Sequence, residues 1–285
     1  MVAARCESRH ERAGEVTRLL GDAMLNLTMV IRRKLLGIPL LLMLSTGSIR
    51  AADTLSIAGA ANLLYALEGL NAEFKRVAPG TAVTTTTGAS GTLYAQIKHG
   101  APFDVFLSAD VEYPRRVAAE KLGVPETLTI FATGRLVAWT LRADFDLADL
   151  PATIRSAHVR RIAIAQPRTA PYGRAAQATL EGMKIWPDAQ RKLVVGESIS
   201  QTAQFVETSN AELGFVALSI VVSPLLARKG HWVEIPPDRY APVSLEHAAL
   251  LTNRGGANPA AKRYLEFLSS DPARKLLRDY GYHVN

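Results

Sequence analysis

Cysteine is almost missing from this chain. Of 285 residues only Cys6 carries a thiol, and it lies ahead of the region read below as the folded body. That body therefore has no disulfide, no thiol nucleophile and no cysteine metal site. Long apolar runs are scarce too: Leu35 to Leu44 holds ten residues, about half of what a bilayer-crossing helix needs. No G-x-S-x-G elbow occurs, and Gly88-Ala89-Ser90-Gly91 lacks the Gly-Lys-Ser/Thr ending of a phosphate-cradling loop. Beyond residues 1–51, the histidines His99, His158, His231, His247 and His283 are scattered without metal-ligand spacing and read as surface or packing residues. Asp104 and Asp110 flank one short apolar run and read as loop or helix caps rather than as a catalytic pair.

Excess charge is also modest once it is located. The formal net charge is +7, but residues 1–51 hold eight Arg and Lys against four acids, so only +3 belongs to the remainder. Arginine pairs such as Arg115-Arg116 and Arg160-Arg161 have no interleaved aromatics. Nucleic acid is therefore not expected as a partner.

What is present at the front is an export pattern. Met29 to Lys34 is a basic segment, Leu35 to Leu44 the apolar one, and Ser45 to Ala52 supplies small residues for cleavage after Ala51 or Ala52. No cysteine follows the apolar segment, so no lipid anchor is expected. Residues 1–51 are set aside as a leader, with the signal peptide at 29–51.

Beyond it, strand-like and helix-like segments alternate. Leu55 to Ala58, Ala82 to Thr87 and Asp104 to Leu107 read as strands. Leu63 to Val77, Thr92 to His99 and Val111 to Leu122 read as helices, two of them ended by glycine and one by Pro79-Gly80. Leu136 to Trp139, Arg161 to Ala165, Val194-Val195 and Leu213 to Val216 are further strands. Helices are expected at 173–184, 201–208 and 218–227. Val243 to Leu251 then reads as a returning strand, followed by helices at 259–268 and 272–280. Alternation of this kind implies parallel sheets covered by helices. Two such units without a flexible linker imply a cleft between them, with ligands at the carboxyl ends of strands.

Four helix starts stand where such a ligand would sit: Ala61-Asn62, Ser90-Gly91, Tyr172-Gly173 and Ser198-Ile199-Ser200. Unpaired N–H groups and the helix dipole favour an anion there. Asn62 and Ser90 are also good helix caps, Tyr172 reads equally as a packed loop aromatic, and Ile199 has only its backbone N–H to offer.

The blocks around these positions carry a resemblance. They are Ala58-Gly59-Ala60-Ala61-Asn62-Leu63, Gly88-Ala89-Ser90-Gly91-Thr92-Leu93 and Gly100-Ala101-Pro102-Phe103-Asp104-Val105-Phe106-Leu107-Ser108-Ala109-Asp110. Pro171-Tyr172-Gly173-Arg174-Ala175-Ala176, Gly196-Glu197-Ser198-Ile199-Ser200-Gln201 and Gly214-Phe215-Val216-Ala217-Leu218-Ser219 follow in order. Over about 53–285 the chain resembles the molybdate-binding periplasmic proteins of ABC importers.

The resemblance implies an α/β fold of the type II periplasmic binding class, with two lobes joined by crossover strands. Lobe one would comprise 53–135 plus 247–285 and lobe two 136–246. It implies an oxyanion held by neutral hydrogen bonds from Asn62, Ser90 and the Ala61 backbone on one side, and from the backbone of Tyr172 and Ile199 on the other. The metal would be present only as molybdate or tungstate, with no direct protein ligand and no cofactor. One branch of the family has Ser at position 62 and Tyr at 217, whereas this chain has Asn62 and Ala217 and follows a sister branch with Asn and Tyr at positions 62 and 172.

The function implied is a monomeric periplasmic receptor, not an enzyme. It would deliver molybdate or tungstate to an inner-membrane permease driven by a cytoplasmic ATPase. A receptor for sulfate or phosphate is the alternative within the same class. A regulator's sensing domain would need a DNA-binding segment where the leader stands, and an exported hydrolase would need a nucleophile and base that the motifs do not supply.

Overall fold

The computed structural model describes residues 53–284, so the expected leader and signal peptide lie outside the described residues. Two five-stranded sheets form the frame. The first contains β1 (Thr54–Ala60), β2 (Ala82–Gly88), β3 (Val105–Ser108), β4 (Thr129–Thr133) and β10 (Glu246–Leu251), in the order β2-β1-β3-β10-β4. The second contains β5 (Leu136–Thr140), β6 (Ile162–Ala165), β7 (Leu193–Gly196), β8 (Leu213–Ala217) and β9 (His231–Glu234), in the order β7-β6-β8-β5-β9.

The two sheets repeat one plan. In each, three strands run parallel: β1 pairs with β2 and β3, and β6 pairs with β7 and β8. A fourth strand then enters antiparallel, β10 beside β3 and β5 beside β8. An edge strand, β4 or β9, completes the sheet antiparallel to that one. The chain passes between sheets twice, from β4 to β5 and from β9 to β10.

Composition explains the central strands. Val105-Phe106-Leu107-Ser108, Leu136 to Thr140, Ile162 to Ala165 and Leu213 to Ala217 are buried at every residue. Helices cover both faces of such strands, so they read as continuous apolar runs rather than as alternations. The edge strand β2, AVTTTTG, is exposed along most of its length, and its β-branched threonines suit a pleated surface.

The connections are helical. α1 (Leu64–Val77) buries Ala66, Leu67, Leu70 and Phe74, a helical stripe. α2 (Ser90–Lys98) and α3 (Glu112–Ala119) complete the first unit. α4 (Leu150–Arg155), α5 (Pro171–Gly182), α6 (Trp186–Gln190), α7 (Ile199–Glu207) and α8 (Leu218–Val221) belong to the second. α9 (Asn253–Gly256), α10 (Pro259–Leu268) and α11 (Asp271–Asp279) close the chain.

Several expectations are corrected. The helix expected at 218–227 stops at Val221, because Ser223-Pro224 follows and a proline disfavours helix in the residue before it. The returning strand begins at Glu246 rather than Val243. Strands β4 and β9 and helices α4 and α6 were not expected. Both strands are short, partly exposed edges with weak hydrophobic signal, and the two helices are only 6 and 5 residues long.

Candidate oxyanion site

β1, β2, β6 and β7 end at Ala60, Gly88, Ala165 and Gly196, and each is followed within six residues by a helical turn. These turns start at Ala61, Ser90, Pro171 and Ile199. They come from both sheets and meet at one small cavity. Ala61, Asn62, Ser90, Tyr172 and Ile199, the five residues singled out from sequence, all line it, together with Ala60, Gly88, Ala89, Ala109, Ala170 and Pro171. None of these lining residues carries a charge. Ala217, the position at which the chain departs from one branch, is buried elsewhere and caps α8.

The helix starts are left chemically open. The residues capping three of them are Ala60, Ala89 and Ala170, and none offers a side-chain cap. Asn62 and Ser90 therefore sit inside their first turns and do not serve as the N-caps themselves. Only Ser198 caps conventionally, its Oγ accepting from the Gln201 N–H at 3.3 Å. Away from the cavity, the starts of α4, α9, α10 and α11 are capped by Asp149, Thr252, Asn258 and Ser270, while α1, α3, α6 and α8 begin without a side-chain cap. First-turn N–H groups have no partner within their own helix. At the cavity three of the four starts lack a side-chain cap, which suits an acceptor that brings its own negative charge.

Side chains contribute unequally. Ser90 Oγ accepts from the Ala109 N–H at 3.0 Å. That fixes the oxygen and leaves its own proton to donate. Asn62 behaves otherwise than expected. The amide Nδ2 donates to Tyr282 Oη at 2.8 Å and lies 2.6 Å from His247 Nε2. Both amide N–H groups are thus engaged inside the protein, and Oδ1 is buried without a partner. The Asn62 carbonyl accepts from Ser219 Oγ at 2.9 Å and Tyr282 Oη at 3.0 Å. What Asn62 has left to donate is its backbone N–H. The Tyr172 hydroxyl is also buried without a partner, and burial pushes its pKa well up; its backbone N–H lies in the first turn of α5.

The two units are tied beside the cavity, through residues next in sequence to its lining. Gly91 N–H donates to the Thr169 carbonyl at 2.8 Å. Tyr113 Oη donates to the Arg168 carbonyl at 3.2 Å. Arg174 pairs with the buried carboxylate of Asp110, stands 3.6 Å from Glu112 and lies 5.6 Å from the centre of the Tyr113 ring. Asp110 also accepts from the Tyr113 N–H at 3.1 Å, so the capping role read from sequence is present. The link to Arg174 had no sequence signal, because it joins residues 64 positions apart. Asp104 is structural: it accepts from the Ser56 N–H at 2.8 Å and pairs with Arg254 at 2.9 Å. Among the described residues no group of three or more His, Cys, Asp or Glu could hold a metal ion. No helix among them is long and apolar enough to cross a membrane.

His247, grouped from sequence with the surface or packing histidines, is fully buried beside the site. Its ring lies 5.2 Å from that of Tyr282, 6.1 Å from Phe131 and 6.3 Å from Tyr172, centre to centre. Burial pushes its pKa down to about 4, although the hydrogen bond to Leu245 opposes the shift.

Comparison with known proteins agrees with this architecture. The chain is 38% identical over 234 residues to the molybdate-binding protein ModA of Rhodobacter capsulatus, spanning 81% of this chain and 89% of that protein. It is 36% identical over 231 residues to ModA of Azotobacter vinelandii, spanning 81% and 90%. The structure of the Azotobacter vinelandii periplasmic molybdate-binding protein superposes with a TM-score of 0.75 at 28% identity, covering 81% of this chain and 99% of that one. Residues 55–283 match the family model described as bacterial extracellular solute-binding protein, and the chain belongs to that family.

Proposed function

We propose that this chain is the receptor of an ABC importer for molybdate, with tungstate as a second ligand. The observation that carries the reading is the meeting of four helix starts, drawn from two sheets, at one uncharged cavity whose first-turn N–H groups are mostly uncapped. The ligand contacts are the backbone N–H groups of Ala61, Asn62, Ser90, Tyr172 and Ile199 and the Ser90 hydroxyl. Neutral donors suit a fully ionised tetrahedral dianion, since every contact is an N–H or O–H donated to an oxygen and no second charge has to be desolvated. The relatives named above are molybdate-binding proteins, which supports the choice of anion.

The two sheets are taken as the cores of two lobes, 53–135 plus 247–285 and 136–246, which close on the anion. The receptor works as a periplasmic monomer after removal of the leader, without a lipid anchor and without catalysis. It hands its ligand to a membrane permease coupled to a cytoplasmic ATPase.

Phosphate is the second reading, favoured by one observation. Asn62 Oδ1 is a buried acceptor without a partner, and a protonated phosphate offers the donor it lacks. Calorimetric titration of the chain from Ala52 with molybdate, tungstate, sulfate and phosphate decides between them. One-to-one binding of the first two alone is the expected result. Binding of phosphate in their place overturns the molybdate reading.

A further inference from the structure

The side chain of Asn62 is held by an arrangement that has only one consistent set of proton positions. His247 Nδ1 lies 2.8 Å from the Leu245 carbonyl. A carbonyl only accepts, so Nδ1 carries the proton. His247 is fully buried and its pKa is held low by that burial, so the ring is neutral and Nε2 is an acceptor. The atom of Asn62 facing Nε2 must then be the nitrogen. Tyr282 Oη spends its own proton on the Asn62 carbonyl, so it too can only accept from Nδ2. Turning the amide round would set Oδ1 against two acceptors.

Four hydrogen bonds therefore grip Asn62: two from its amide, and two received by its carbonyl from Tyr282 and Ser219. Asn62 itself is the middle residue of the turn Ala61–Leu63. Any N–H group of that turn aimed at a ligand takes its direction from this grip. Geometry held by a supporting layer of hydrogen bonds is what keeps a binding group in productive orientation.

We propose that His247 is a positioning residue of the anion site: its unprotonated Nε2 locks the Asn62 side chain and so orients the Ala61–Leu63 turn toward a bound oxyanion. The inference rests on the oxyanion reading given above and adds to it a residue that does not itself touch the ligand.

Two substitutions separate this role from simple packing. In His247→Gln the side-chain oxygen reaches the place of Nε2 and still accepts from Asn62. In His247→Leu the volume is roughly kept and the acceptor is gone. Molybdate affinity is measured by calorimetry for both variants and the parent, with melting temperatures recorded alongside. Binding by the parent establishes the reading on which the inference rests; a parent that binds no oxyanion overturns reading and inference together. With a binding parent, the Leu variant is expected to lose about tenfold or more in affinity and the Gln variant to stay within about threefold of the parent. Equal affinities in the Gln and Leu variants, whether unchanged or equally reduced, overturn the role of His247 while leaving the oxyanion reading in place. Should the Leu variant fail to fold, His247→Asn replaces it. The shorter amide reaches only the place of Nδ1, so affinity should fall as for Leu, and an Asn variant binding as well as the Gln variant overturns the proposal.

Discussion

Arg174, in the first turns of α5, sets its guanidinium against the carboxylate of Asp110, which follows β3 in the other sheet. Asp110 is 3% exposed, so this is a nearly buried charge whose only cationic partner among the described residues lies across the cleft. Separation of the two units would leave each charge to find water instead.

Removing one partner of such a pair leaves the other buried and unpaired, an effect worth about 2–5 kcal/mol when it occurs at an interface. Arg174→Gln is therefore expected to weaken anion binding chiefly through faster dissociation, with the association rate little changed. Stopped-flow fluorescence with molybdate separates the two rates; an unchanged off-rate contradicts the role given to this pair.

Ser90→Ala removes one hydrogen bond to the proposed anion, worth about 1.5–3 kcal/mol for a charged partner. Affinity should fall by about tenfold to a hundredfold. The fold should survive, since the only other bond lost is that from the Ala109 N–H. Calorimetry for affinity and circular dichroism for melting check both halves.

Gly91 cannot accept a side chain as the units stand. A Cβ there would collide with the Tyr113 hydroxyl and lie 2.9 Å from the Thr169 carbonyl oxygen. Gly91→Ala should push the two units apart and break the 2.8 Å bond between Gly91 and Thr169. A larger radius of gyration by solution scattering, together with weaker binding, is the expected result.

His247 makes stability depend on pH. Burial lowers its pKa to about 4 from an ordinary 6.5, so the unfolded chain takes up a proton there before the folded chain does. Its contribution is complete above about pH 6.5 and is lost as the pH falls toward 4, a change of about 3 kcal/mol. Urea unfolding at pH 7 and pH 4.5 should show this loss in the parent and a smaller one in His247→Gln.

Much of this organisation is legible along the chain because it is local. Strand runs such as Arg161 to Ala165 and helical stripes such as Leu63 to Val77 announce themselves within a few residues. The candidate site residues are legible for the same reason: each helix start follows its strand within six residues. What is not legible depends on distant pairing. Arg174 meets Asp110 and Asn62 meets His247 only after the sheets have formed, 64 and 185 positions apart. Asn62 shows the difference most clearly. Its identity suggests an amide aimed at a ligand, whereas in the fold the amide nitrogen is engaged by Tyr282 and His247.

The placement of β10 bears on how the molecule is assembled. β4 joins the first sheet only through β10, which lies between it and β3. All five strands of the second sheet are synthesised between these two neighbours. The first sheet is thus the earlier one to begin and the later one to finish, and its last gap is filled by a segment near the end of the chain. Contacts of such long sequence separation form slowly. The second sheet has all its strands by Glu234, whereas the first waits for β10 to join β4 to β3.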